Sequence, residues 1–461
     1  MSRKTAFVGF SYMAGLLLAS FFSAPLSIAI GAVLLGFGLC TVFIFRPKHS
    51  GSFYRSAVCA IACCVGLWIY SGYDMTVCRN ITANIGNFSG TVTIEQSTVY
   101  SEEKAFYIAH CTFPNGASGN VGFFDRRSDL VKGDKITLSG QLYAPENTGF
   151  FNSADYYRSM NVFLLMKSVR TSGYEIKEHN FYRTLDDFRH NVSDTIRRYV
   201  PSEEGELLIG MIFGSSKWNM SDRTENLLYR AGIGHVAAVS GLHMSVAAGI
   251  AAALAIALRL PKWGQFISVT AVSLLFAMTA GFTPSVVRSL IMVMFVWAAG
   301  IFNRRSDSLT SLAAAIIIMT ISSPFIVRST SFLLSVSGTI GTAVLSPMFI
   351  NAYEKKMERK TDLPYHVGAL TSALCSSLCA AAAVFPVSAL TFDQISIASP
   401  LTNLLLSPLC TAAIAIAAIG ALLCILPFTF ISGGLFLAAG LICRPILAVA
   451  KLIGSSDIIM I

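Results

Sequence analysis

His235-Val-Ala-Ala-Val-Ser-Gly-Leu-His243 opens an apolar run that continues to Leu258 and stops near Arg259, Pro261 and Lys262. A run of this length reads as a membrane helix, and it carries two imidazoles and a hydroxyl into the bilayer. Gly232 and Gly234 stand just before it, so the backbone is free to bend there and the helix entry reads as a break. Beyond the break, Gly241, Ser245, Gly249, Ala253 and Ala257 recur every four residues and give one helix face of small side chains, along which another helix can come very close. Two readings stand together. One is a packing helix whose Ser and His bond to neighbours; the other is a functional break whose ionisable groups meet a wet cavity.

Composition supports the membrane reading. Of 461 residues, 54% are hydrophobic and 13% charged, about half the charged share of a soluble domain, and mean hydropathy is +0.62. The net charge of +9 resembles a nucleic-acid signal until it is divided along the chain. Residues 1–71 hold five Lys/Arg and no acid, residues 72–200 hold 14 of each sign, and residues 201–461 hold 15 basic and 11 acidic side chains. The excess therefore flanks membrane segments, as the positive-inside rule requires. Nine of the eleven Cys lie in apolar runs, where a thiol acts as a small hydrophobe; only Cys78 and Cys111 lie in the polar insert, and a disulfide between them is an open expectation. No C-x-x-C occurs, so neither a structural metal nor a cofactor is expected.

In chain order, residues 1–71 read as N-terminal transmembrane segments, with runs at Ala6–Phe22, Leu26–Phe45 and Ser56–Tyr70. Arg46, Lys48 and Arg55 hold the connection before the third run in the cytoplasm, which puts the following insert outside. That insert, residues 72–178, changes to short alternating segments: Thr91–Val99, Lys104–Cys111, Val121–Phe124, Ile136–Tyr143 and Val162–Val169 read as strands. Five strands in about 100 residues suit a small β-barrel of the oligonucleotide/oligosaccharide-binding (OB) type, and a sandwich fragment would give a similar pattern. Its 15 Phe and Tyr serve either as core or as stacking platforms. Residues 179–230 read as an amphipathic, interfacial helix over Phe181–Tyr199 followed by an apolar piece, Glu206–Phe213, too short to span. Residues 231–461 carry the remaining runs and read as a channel domain. The fold expected is a polytopic α-helical membrane protein of about eleven spans with an inserted extracytoplasmic OB-like barrel.

Polar residues within these runs mark the candidate path. Ser396, Ser399, Asn403, Ser407 and Thr411 make one polar line down a helix interrupted by Pro400 and Pro408; Ser331, Ser335, Thr339 and Thr342 make a looser second line. Thr283-Pro284-Ser285-Val-Val-Arg288 places a guanidinium one turn into a membrane helix, where it either snorkels to the interface or meets an anion such as phosphate.

These residues together resemble the ComEC family of DNA-internalisation competence proteins. The resemblance rests on the segment Gly149-Phe-Phe-Asn-Ser-Ala-Asp-Tyr-Tyr157 at the end of an OB-like domain, on His235–His243, and on Gly281-Phe-Thr-Pro-Ser-Val-Val-Arg288. Ser331-Phe-Leu-Leu-Ser335 and Ile395-Ser-Ile-Ala-Ser-Pro-Leu-Thr-Asn403 with Pro408 extend it. It implies a channel for single-stranded DNA across a bacterial cytoplasmic membrane, with His235, Ser240, Gly241, His243, Pro284, Ser285, Arg288, Ser335 and Asn403 along the path. It also implies an extracytoplasmic DNA receptor and a cytoplasmic helicase-like ATPase as partners, since the sequence holds no phosphate-binding G-x-x-x-x-G-K-[ST] loop of its own. The family pattern often has Gln where Leu333 stands, and many members continue into a metallo-β-lactamase-like domain. No His-x-His-x-Asp-His motif occurs here, so a separate nuclease is expected.

The leading reading is therefore a passive, non-enzymatic conduit. Its rivals are an intramembrane enzyme pairing Ser240 with a His and a small-molecule transporter. The first lacks a G-x-S-x-G elbow and a neighbouring acid; the second lacks a detectable internal repeat.

Overall fold

A chain in hydrocarbon must satisfy its own backbone N–H and C=O groups, so long apolar runs become helices. The computed structural model describes residues 4–44, 51–101, 104–146, 153–177, 180–214, 219–237, 239–361, 367–391, 396, 398–425 and 429–455. Among them, seven helices are long and apolar enough to cross a membrane, and four apolar helices, Thr5–Phe21, Ala24–Cys40, Gly241–Ala257 and Ser308–Ser322, are shorter. The helices are α1 (Lys4–Phe21), α2 (Ala24–Ile44), α3 (Gly51–Tyr73), α4 (Arg79–Thr82), α5 (Ser153–Ser159), α6 (Phe181–Tyr199), α7 (Glu203–Phe213), α8 (Asp222–Arg230) and α9 (Gly234–Ala237). There follow α10 (Gly241–Ala257), α11 (Lys262–Ala280), α12 (Pro284–Ile301), α13 (Ser308–Ser322), α14 (Thr330–Ile340), α15 (Ser346–Thr361), α16 (Ala369–Thr391), α17 (Ser399–Leu423) and α18 (Thr429–Gly454). The chain divides into two units, Met1–Asp186 with Leu309–Phe332, and Asp187–Ser308 with Leu333–Ile461.

The first unit holds the barrel. Strands β1 (Gly86–Ser101), β2 (Lys104–Thr112), β3 (Ser118–Asp125), β4 (Lys135–Tyr143) and β5 (Val162–Glu175) close in the order β1-β2-β3-β5-β4. Closure depends on the long β1: its first half pairs with β4 and its second with β2, and Thr93 faces both Lys135 and His110. The register shifts between Ile94 and Gln96, so a bulge turns this corner. Inward positions Val92, Ile94, Tyr107, Phe123, Ile136 and Leu138 fill the interior, which assigns these aromatics to the core. Cys78 and Cys111 are both buried free thiols, so the disulfide left open by the sequence is not formed; burial pushes the Cys111 thiol up to about 12.

One regrouping departs from the sequence reading. The stretch Leu309–Phe332, read as part of the channel region, belongs to the unit of the barrel. Phe325, in a 3-10 turn at Pro324–Arg328, meets the rings of Tyr70, Tyr73 and Phe163 edge-on at 4.8, 5.7 and 5.7 Å. Arg328 pairs with Asp155 of α5 at 2.7 Å, and Ser323 donates to the Asn161 side chain at 2.7 Å. Asp155 is therefore an ion-pair anchor.

In the second unit, α7 is the short piece that cannot span; Gly205 and every residue from Leu207 to Phe213 are buried. They pack with Cys410, Ala413 and Ala417 of α17, Phe436 and Ile446 of α18, and Val192 and Ile196 of α6. The apolar face of α6 is thus covered by protein, where its periodicity suggested a lipid surface. Carboxylates in the first turn of α7 suit the positive helix end. Glu203 accepts from Ser221 and Thr224, both at 2.7 Å, and meets Lys451 at 3.3 Å. Glu206 accepts from Arg197 at 2.8 and 3.2 Å. Burial alone would raise the Glu203 pKa, but these hydrogen bonds outweigh it and hold the carboxyl below its ordinary value.

The join of barrel and α6 rests on Asp134, which is fully buried. It accepts from the Val131 and Lys177 backbone N–H groups at 3.0 and 3.2 Å and from the Arg183 guanidinium at 2.8 Å. Asp134→Ala would strand two N–H groups and a partly buried cation, at a cost of about 3 kcal/mol. Thermal unfolding in detergent should register this as a lower midpoint, with Asp134→Asn affected less. An Ala variant as stable as the parent would refute the anchor.

Candidate functional site

The break before α10 is built from Gly232 and a cap. Gly232 has φ +76, the left-handed region, and a Cβ there would lie 2.5 Å from that of Ser399. Ser399 in turn donates to the Gly232 carbonyl at 3.3 Å, and Asn403 donates to Ser399 at 3.2 Å. The Asn403 line on α17 therefore braces the turn between α8 and α9. After that turn Ser240 adopts extended backbone and begins α10 as its N-cap.

His243 stands at the third position of α10 and is 1% exposed. Its Nδ1 accepts from the Ser240 backbone N–H at 3.1 Å and lies 3.0 Å from Ser240 Oγ. This is the place of the Glu or Gln in a capping box, filled by imidazole. A backbone N–H can only donate, so Nδ1 is the acceptor and the ring carries its proton on Nε2. The same lone pair that would take a proton from Ser240 is thus engaged by the backbone, and the contact is explained as a helix cap.

Arg288 is the charge of the site. Pro284 starts α12 after Thr283, as its fixed φ and missing N–H favour, and places Arg288 one turn in, 8% exposed. Nε donates to Ser335 Oγ at 2.7 Å, and one terminal nitrogen donates to Thr339 Oγ1 at 2.9 Å and to Met292 Sδ at 3.0 Å. The other terminal nitrogen donates to Ser289 Oγ at 3.3 Å, while Ser285 and Ser335 share a hydrogen bond of 3.1 Å. No carboxylate pairs with Arg288 among the described residues. The start of α10 borders this cage: a Cβ on Gly241 would lie 3.0 Å from Ser289 Oγ and 3.3 Å from an Arg288 terminal nitrogen.

The structure therefore gathers Gly241, Ser285, Arg288 and Ser335 in one polar cluster, with the Ser240–His243 cap joined to it through Gly241 and Asn403 engaged elsewhere. His235 lies on the backbone of α9, and its side chain is outside the described residues. Ser289 and Thr339 complete the cluster. Thr339 was already visible on the second polar line; Ser289, directly after Arg288, gave no signal. Among the described residues no group of three or more His, Cys, Asp or Glu is placed to hold a metal ion.

Residues 211–460 match the family described as Competence protein. The chain is also similar to ComE operon protein 3 of Bacillus subtilis (strain 168), 24% identical over 285 residues. That match covers 61% of this chain and 35% of the relative, so the chain spans little more than a third of the relative's length. No solved structure matches. Every residue of the cluster and of the α10 cap lies within the stretch that matches the family.

The cap makes a discriminating expectation. His243→Gln supplies the side-chain acceptor of an ordinary capping box and should keep the stability of the parent, whereas His243→Ala should lower helix stability by about 1 kcal/mol. Thermal unfolding of the two variants in parallel measures this. If Gln unfolds as early as Ala, the cap account fails.

Proposed function

The chain belongs to the Competence protein family, and we propose that it forms a passive path for single-stranded DNA across a bacterial cytoplasmic membrane during natural transformation. The observation that carries this reading is the Arg288 cage. A guanidinium inside membrane helices, hydrogen-bonded by neutral hydroxyls and without a carboxylate among the described residues, retains a full charge for an anion that comes and goes. Phosphate fits that charge, because the planar guanidinium fork matches two of its oxygens.

In this reading the four shorter apolar helices join the seven long ones as spans, which gives about eleven. The barrel is extracytoplasmic, held there by the basic residues before α3. An extracytoplasmic receptor delivers DNA, a cytoplasmic helicase-like ATPase pulls it, and a separate nuclease removes the second strand. The rival reading, an intramembrane enzyme, rests on the 3.0 Å contact between Ser240 and His243. Ser240→Ala separates the two, since an enzyme loses nearly all activity and a conduit keeps most of it.

The topology is open to labelling. A Cys at Pro114, in the exposed turn between β2 and β3, should react with an impermeant maleimide in intact cells, over the background of the parent protein. Reaction only after the membrane is permeabilised would reverse the orientation.

Arg288 tests the path itself. A charge-assisted hydrogen bond is worth about 1.5–3 kcal/mol, so Arg288→Ala should cut uptake per membrane-inserted molecule roughly 10- to 100-fold. Arg288→Lys should fall between Ala and the parent, because it keeps the charge and loses the fork. Unchanged uptake per molecule in Arg288→Ala rules the phosphate role out; protein level falling in step with uptake assigns Arg288 to bracing.

A further inference from the structure

Helices α10 and α12 end in the same way, next to the start of α11. In α10 the Arg259 N–H donates to the Ile256 carbonyl at 2.9 Å and the Leu260 N–H to Ala255 at 3.0 Å; in α12 Asn303 donates to Gly300 at 3.3 Å and Arg304 to Ala299 at 2.9 Å. These are the paired bonds of a Schellman motif, whose left-handed position glycine usually fills. Here Arg259 (φ +54) and Asn303 (φ +51) fill it and bear the strain of a side chain there. The Lys262 ammonium, at the first position of α11, donates to the Asn303 side chain and ties the two connections together.

That tie gathers four exposed cations, Arg259, Lys262, Arg304 and Arg305, at one end of three packed helices. Within these connections the opposing charge is Asp307 and the carbonyl ends of α10 and α12, each end worth about half a charge, so about two positive charges remain. The basic stretch on α15 differs, since Lys355, Lys356, Arg359 and Lys360 are interleaved with Glu354 and Glu358. Directly beside the four cations the surface turns apolar. Leu258, Trp263 and Phe302 are exposed, and exposed Ile267 continues the face of Trp263 one turn along α11.

We propose that this junction binds an anionic phospholipid, with its phosphate among the four cations and its acyl chains along Leu258, Trp263 and Ile267. Such a lipid matches both halves of the surface in one molecule, and the guanidinium fork suits its phosphate oxygens. A soluble anion or a nucleic acid matches the cations alone, and a neutral lipid matches the apolar wall alone. The inference is independent of DNA passage at Arg288.

The test uses the full chain carrying Trp68→Phe, Trp218→Phe and Trp297→Phe, so that Trp263 alone fluoresces, in nanodiscs of phosphatidylcholine with a minor share of brominated lipid. Bromine quenches indole on contact, so the quenching reports which chains touch Trp263. Brominated phosphatidylglycerol should be favoured over brominated phosphatidylcholine at the same share by roughly fivefold, the worth of about one cation near an anionic headgroup. The preference should vanish when Arg259→Gln, Lys262→Gln, Arg304→Gln and Arg305→Gln are combined. Arg304→Lys with Arg305→Lys keeps the charge and should keep the preference, which separates lost charge from lost folding. Equal quenching by the two lipids overturns the proposal, and so does a preference that survives the four Gln substitutions. Displacement of the brominated anionic lipid by a thymidine oligonucleotide overturns it in favour of nucleic acid.

Discussion

A charge placed in hydrocarbon must be compensated, and among the described residues Arg288 meets no carboxylate. Ser335, Thr339 and Ser289 satisfy its N–H groups, but hydroxyls carry no counter-charge. Elsewhere the same chain pairs its partly buried cations directly: Arg183 with Asp134, Arg328 with Asp155 and Arg197 with Glu206. Those three hold elements together and use the acid that such a task calls for. Arg288 departs from that pattern: among the described residues it meets hydroxyls and a thioether and no carboxylate.

The start of α10 is fitted beside that cage. Helix α10 must pass beside the guanidinium, which it does at Gly241, where the absent side chain leaves 3.0 Å between an imagined Cβ and Ser289 Oγ. A helix beginning at that point exposes N–H groups, and in hydrocarbon these need partners from the protein. His243 supplies one by taking the Ser240 N–H. The preceding turn needs the left-handed backbone of Gly232 and the support of Ser399. Helix break, cap and polar line thus lie in succession along the chain that leads to the cage at Gly241.

Long-range order was legible in the sequence wherever it is encoded by period and length. All five expected strands are found, β1 starting five residues earlier and β5 ending six later, because alternation depends on neighbours along the chain. Contacts between distant segments carry no such periodic mark. Nothing in the sequence joins Arg328 to Asp155, and the helix Phe181–Tyr199 read as interfacial because periodicity identifies an apolar face and not what covers it, here the core that holds Val192 and Ile196. His243 was visible as an intramembrane imidazole, yet its role depends on which nitrogen accepts the Ser240 N–H, a matter of rotamer. The cation at 288 and its partner Ser335 were legible for the opposite reason: an Arg within an apolar run is conspicuous, and so is a hydroxyl line at helical spacing.

On the proposed reading, the cage also answers how a path can recognise a polymer without holding it. A passing phosphate would gain the Arg288 charge, but to reach the guanidinium it would displace Ser335 and Thr339, whose hydrogen bonds of 2.7 and 2.9 Å are already formed. Those lost bonds offset part of the gain, about 1.5–3 kcal/mol for each bond between hydroxyl and guanidinium. Conduction requires binding strong enough to admit the charge and weak enough to release it. A carboxylate in place of the hydroxyls would cancel the charge and repel the phosphate; a bare guanidinium would keep it. Neutral hydroxyls lie between these extremes, so each phosphate can be exchanged for the next, and the direction of travel is set by whatever pulls on the strand.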